Sequence, residues 1–99
     1  MSEDAQAQDP DGRLVVFDDG IRLHLALARP ELLDHVDAIL ATVANPDHRA
    51  DDPRAGREQF YRRDLDARRW LRVVVDFNDT PAWVVTALVQ DTPPRGWKP

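Results

Sequence analysis

GREQFYRRDLDARRWLRVVVDFNDTPAWVVTAL, residues 56–88, is the stretch whose reading decides the fold. Arg69 to Phe77 and Ala82 to Val89 are rich in β-branched and aromatic residues, the composition that suits a pleated, half-buried surface. Asn78-Asp79-Thr80-Pro81 between them is a cluster of turn formers, so the two runs read as a β-hairpin. Arg57 to Arg63 alternates less cleanly, and Phe60 and Tyr61 between charges suit a more exposed neighbouring strand. Two registers are open for the hairpin. Pairing Phe77 with Ala82 sets Val73 opposite Thr86 and turns Arg72 to the other face, whereas a one-residue bulge sets Arg72 opposite Thr86 on a shared face.

Working outward, Pro30 to Ala44 reads as an amphipathic helix. Proline suits its first position, Glu31 favours the positive end of the helix dipole, and Leu32, Leu33, Val36, Ile39, Leu40 and Val43 form an apolar stripe. Asn45-Pro46 ends it, because proline cannot continue the hydrogen-bond ladder. Arg13 to Phe17 is a short strand, and Asp18-Asp19-Gly20 signals a hairpin into Ile21–Leu27, whose alternation suggests a second strand. A short helix leading to Pro30 is the alternative for that segment. Asp47 to Ala55 reads as a charged loop. Residues 1–12 are expected as a disordered acidic tail, residues 13–91 as one α+β domain, and residues 92–99 as a proline-rich tail that docks Trp97 or exposes it.

Ninety-nine residues with 42% hydrophobic and 31% charged content suit a single globular domain with one modest core. The chain has no cysteine, which removes disulfides, thiolate metal sites and cysteine nucleophiles. No apolar run reaches the roughly 20 residues that span a bilayer. The acidic N-terminus lacks the pattern of a secretory signal, so a cytoplasmic protein with no membrane partner is expected. Twelve arginines against one lysine, Lys98, suggest a GC-rich bacterial origin. The net charge is −5, but residues 54–72 hold seven arginines against three acids, while residues 1–11 hold four acids and no base. A solvated strand edge with a solubilising tail explains this, and an anion-binding surface through Arg57 and its neighbours is the sharper alternative.

Nucleotide-cradling glycine loops, zinc-protease and nucleophile-elbow motifs are all missing. His35 and His48, with Asp34, Asp37 or Asp47, lack metal-ligand spacing, so neither metal nor cofactor is expected. His24 is the candidate proton-transfer group, since imidazole titrates near neutral pH and Arg22 and Arg29 lie close in sequence. The arginines around Tyr61 and Arg62 offer the planar fork that matches phosphate, with Tyr61 available to stack on a base. Thr86, a hydroxyl in an otherwise apolar strand, is a candidate anchor. Each of these also has a plain structural explanation as a surface histidine, a solvated arginine strand or an ordinary strand threonine.

The order of features, a histidine before RPELL, a helix ending in NPD, then GREQFYRR, WLRVVVDF and VVTAL, resembles small bacterial and phage domains. These are grouped with the barnase–EndoU–colicin E5/D–RelE-like nucleases. The resemblance spans His24 to Leu88. It implies an α+β fold with one main amphipathic helix packed on a curved antiparallel sheet of three to five strands, and metal-independent cleavage of RNA, as in a toxin with a protein antitoxin. It casts His24 as general acid or base, Arg62 on phosphate and Thr86 at the site, with Tyr61 and Arg72 assisting. Related sequences read HPEL where this chain has Arg29-Pro30-Glu31-Leu32, so a second histidine is replaced. A non-catalytic interaction module of the same fold and a homodimer are the competing readings. The dimer would bury an outer face of Trp70, Val74, Trp83, Val85 and Val89.

Overall fold

A computed structural model of the chain describes residues 5–66 and 69–98. The first four residues of the acidic segment, Ala67, Arg68 and Pro99 lie outside the described residues. The elements in chain order are β1 (Ala5–Gln8), β2 (Leu14–Phe17), α1 (Asp19–Ala28), a 3-10 helix (Pro30–His35), α2 (Val36–Ala44), β3 (His48–Asp51), β4 (Arg57–Asp66), β5 (Arg69–Asp76) and β6 (Ala82–Gln90). The strands form one six-stranded sheet in the order β1-β2-β6-β5-β4-β3. The β2–β6 pair is parallel and every other pair antiparallel. The fold is α+β as the sequence implies, but the sheet has more strands than three to five and is mixed, and two α-helices rather than one pack on it.

Three segments depart from expectation for local reasons. Ile21–Leu27 lies in α1 and not in a strand. Asp18 is not a hairpin residue but the helix N-cap, its carboxylate accepting from the Ile21 N–H at 3.1 Å. The leucines and alanines that follow are strong helix formers, and Ile21 and Leu25, four apart, supply the buried face. The Pro30–Ala44 helix is split, with its first six residues wound as 3-10 and α2 beginning at Val36. The charged loop contains β3, because β4 presents an unpaired edge that His48–Asp51 completes from Tyr61 to Glu58. Tertiary pairing overrides the weak strand propensity of HRAD.

Arg57–Arg63 is accordingly no exposed strand. It lies between β3 and β5, with Phe60 and Tyr61 buried. Within the segment expected to be a tail, Ala5–Gln8 forms β1, and Asp9 has a fully buried carboxylate. That carboxylate accepts from the N–H groups of Asp11 and Arg13 and pairs with the Arg13 guanidinium at 2.6 Å. Arg13 and Arg49 bridge onward to Glu58 at 2.7 and 2.9 Å, and Arg49 also meets Asp11 at 2.9 Å. β1 and β3 are opposite edges of the strand order, so these ion pairs between the β1–β2 turn and β3–β4 require the sheet to curl around the helices.

One face of the sheet carries the core: Val15, Phe17, Phe60, Leu71, Val73, Val75, Val84 and Ala87 meet Ile21, Leu25, Leu32, Ile39 and Val43. On the other face Trp70 is covered by the C-terminal segment. Trp97 meets it edge-on at 4.8 Å between ring centres, and the Arg63 guanidinium lies 4.6 Å and 4.4 Å from the two rings. Trp97 therefore docks. Trp70 and Val74 are buried within the chain, and Val89 packs against the helix-side core, so the outer apolar face expected of a dimer is mostly consumed.

Candidate functional site

The hairpin register brings His24 and Thr86 together. Near the turn β5 and β6 follow the simple register, Asp76 with Trp83 and Val75 with Val84. A shift then places Val74 opposite Thr86 and Arg72 opposite Leu88. The bulge runs the opposite way from the one that would have paired Arg72 with Thr86, so neither expected register holds beyond Val75. Thr86, opposite Val74, and Ala87, opposite Val73, alternate as strand neighbours do: Ala87 enters the helix-side core, and the Thr86 hydroxyl meets His24 of α1. The extra residue is Val85, and it takes Thr86 out of the core-facing position opposite Val73 that the simple register would give it. His24 Nε2 and Thr86 Oγ1 are 3.0 Å apart, on the exposed surface, across 62 residues of sequence.

When Nε2 carries the proton and donates to Thr86, Nδ1 keeps its lone pair, the state a general base needs. With the opposite tautomer, Thr86 donates to Nε2 and the ring orientation is the same. The bond holds the imidazole in place either way. Arg22 lies over the Phe17 ring at 5.0 Å, and Arg29 follows the end of α1.

The remaining predicted residues are distributed elsewhere. Arg62, on the helix side of β4, donates to the carbonyls of Ala41 and Asn45 at 3.3 and 3.2 Å, serving the last turn of α2. Arg57 pairs with Asp76 at 3.2 Å. Tyr61 and Arg72 are cross-strand partners on the outer face, in one row with His48 of β3. The Tyr61 hydroxyl donates to Gln59, and its ring stands 5.7 Å from that of His48. The Arg72 Nε is buried without a hydrogen-bond partner. Tyr61 and Arg72 thus sit on the outer face, which Thr86 shares through its partner Val74, two residues along β5 from Arg72.

Cavities lie away from the pair. One of about 680 Å³ is lined by Pro10 and residues 44–49, at the end of α2. Another, of about 320 Å³, gathers Glu31, Leu32, His35, Arg69 and Val89 beside the far end of β6. The grouping of Glu31, His35 and Arg69 escaped the sequence reading; only the four-residue spacing of Glu31 and His35 hinted at it. Leu23 and Leu27 also escaped, since alternation assigned them to a buried strand face and the helix leaves them 63% and 80% exposed. Among the described residues no group of three or more histidines and carboxylates is arranged to hold a metal ion. No helix among them is long and apolar enough to cross a membrane.

The electrostatics are set by the carboxylates. Asp76 is held below the ordinary carboxylate range, first by the Asn78 backbone N–H at 2.8 Å and then by the Asn78 side chain and Arg57. Asp52 is lowered mainly by the Gln59 amide, and Asp11 mainly by Arg49. These groups organise the two ends of the β4–β5 region, not the histidine pair.

No family model, curated protein or solved structure matches this chain.

Proposed function

We propose that this chain is a metal-independent ribonuclease of the RelE-like kind, acting through His24. The observation that carries the reading is the His24–Thr86 bond, an exposed imidazole held at 3.0 Å by a hydroxyl from a strand distant in sequence. His24 Nδ1 takes the proton of a ribose 2′-hydroxyl; the 2′-oxygen attacks the adjacent phosphorus and the P–O5′ bond breaks. The products are a 2′,3′-cyclic phosphate and a 5′-hydroxyl, whose proton comes from the imidazolium or from water. Thr86 is a positioning residue that keeps the ring oriented. Arg62 has no part in the proposed step, because its guanidinium serves α2. Arg22 and Arg29, which flank His24 in the chain, take its place in offsetting phosphorane charge.

A second reading, a non-catalytic interaction module, is favoured by the exposed Leu23 and Leu27 beside His24. One experiment separates the two. Purified protein is incubated with total cellular RNA in EDTA beside the His24→Ala and Thr86→Val variants. Cleavage by the wild type, lost by about 10²–10⁴-fold in His24→Ala and reduced by less in Thr86→Val, is the expected result. Intact RNA with the wild type, or undiminished cleavage by His24→Ala, removes the histidine mechanism.

A further inference from the structure

We infer that the outer face of β4 and β5, around Arg63, Trp70 and Arg72, binds single-stranded nucleic acid, and that residues 92–98 cover it until such a strand displaces them. Beyond Gln90 the chain turns back across that face. The Gln90 side chain donates to the Thr92 carbonyl at 2.8 Å, and Pro94 is buried. The Trp97 N–H donates to the Pro94 carbonyl at 3.1 Å, closing a turn in which Gly96 takes φ +85°. Trp97 reaches Trp70 of β5 and Arg63 of β4, and a Cβ built at Gly96 falls 3.9 Å from His48 Cε1 in β3. The segment therefore runs from β6 to β3 over the two strands between.

The cover and the face carry charge of the same sign. Residues 92–98 hold Arg95 and Lys98 and no acid, and the face holds Arg63, Arg72 and His48. Among the described residues none of Arg63, Arg72, Arg95 and Lys98 forms an ion pair with a carboxylate, in a chain of net charge −5. Asp47 accepts from the Arg63 backbone N–H, and the Arg72 Nε is buried without a partner. Ring contacts thus hold the cover in place, and the cationic groups are left for a polyanion. The Arg63 guanidinium lies against two indole rings, 4.6 Å and 4.4 Å away, the alternation of cation and aromatic plane on which unpaired bases stack. A base takes the place of Trp97 in that stack, and the phosphate beside it meets Arg72. An acidic peptide would meet the charge but lose the stack. Binding needs no cleavage, so this does not rest on the ribonuclease reading.

The test is fluorescence anisotropy of the full chain with a labelled 2′-O-methyl oligonucleotide of about 12 nucleotides, which lacks the free hydroxyl that cleavage requires. Trp97→Ala is expected to tighten binding by about tenfold, and Arg63→Gln in the same background to cancel that gain. On the wild type, saturating oligonucleotide is expected to speed hydrogen exchange of the Trp97 amide as the turn lets go. That readout stands whether or not Trp97→Ala keeps the wild-type circular dichroism spectrum. Absence of binding by the wild type, unchanged affinity in a folded Trp97→Ala, or a Trp97 amide that exchanges no faster overturns the inference. So does polyglutamate of equal length binding as tightly, which would assign the face to an acidic protein.

Discussion

At the scale of single residues, the structure gives several arginines and acids duties that charge counting had left open. Arg62 closes the end of α2 by donating to the Asn45 carbonyl and to the Ala41 carbonyl, which also accepts from the Asn45 N–H. Arg62→Ala is expected to lower stability by about 1 kcal/mol, read as a fall in urea midpoint, without the specific loss of activity that a phosphate contact would give. Gly56 has φ near +80°, and a Cβ built there would fall 2.2 Å from the Asn78 side-chain oxygen. Gly56→Ala therefore meets both backbone strain and a clash, and about 2 kcal/mol of destabilisation is expected in the same assay. Asp76, whose carboxyl is depressed by Asn78 and Arg57, contributes stability above the ordinary aspartate pKa and loses it as pH falls through its lower folded value. Stability should decline below about pH 4, and Asp76→Asn should flatten that decline.

At the scale of elements, the bulge in β6 is the feature on which the candidate site turns. The shift sets Thr86 opposite Val74, whereas the simple register would turn it into the core opposite Val73, away from the His24 ring. Deleting Val85 removes the extra residue and is expected to keep Val84 opposite Val75 and Thr86 opposite Val74, read as retained cross-strand contacts in NMR spectra. α1 teaches a related lesson. Ile21, Leu23, Leu25 and Leu27 fit a strand by parity and a helix by composition, and the choice fell to Asp18, whose carboxylate caps the first turn. The strands of residues 56–88 were legible because their apolar runs and turn cluster are local signals. β1 and β3 were not, since AQAQ and HRAD become strands only by completing edges that other segments provide.

At the scale of the whole molecule, two contacts hold the curled sheet together. The Asp9, Asp11, Arg13, Arg49 and Glu58 network ties the β1–β2 turn to β3 and β4, with the Asp9 carboxylate fully buried. Asp9→Ala removes the acceptor for two backbone N–H groups as well as the arginine partner, and about 2–4 kcal/mol of lost stability is expected by chemical denaturation. On the other face, Trp97 and Arg63 cover Trp70. Truncation after Asp91 should expose that ring, detectable as a red shift in tryptophan emission and increased binding of an apolar dye.

The sequence by itself determined the β4–β5–β6 meander and the end of α2 at Asn45-Pro46. Period, turn chemistry and proline act within a few residues, so they can be read along the chain. Only the tertiary structure decided that His24 meets Thr86, that Arg62 serves a helix end, and that Tyr61 and Arg72 pair across the outer face. Each depends on a register, a curl or an edge shared by segments far apart in sequence. A one-residue shift between Val74 and Val75 sets Ala87 and Val89 on the core face in place of Thr86 and Leu88, and no turn signal beside it marks the change.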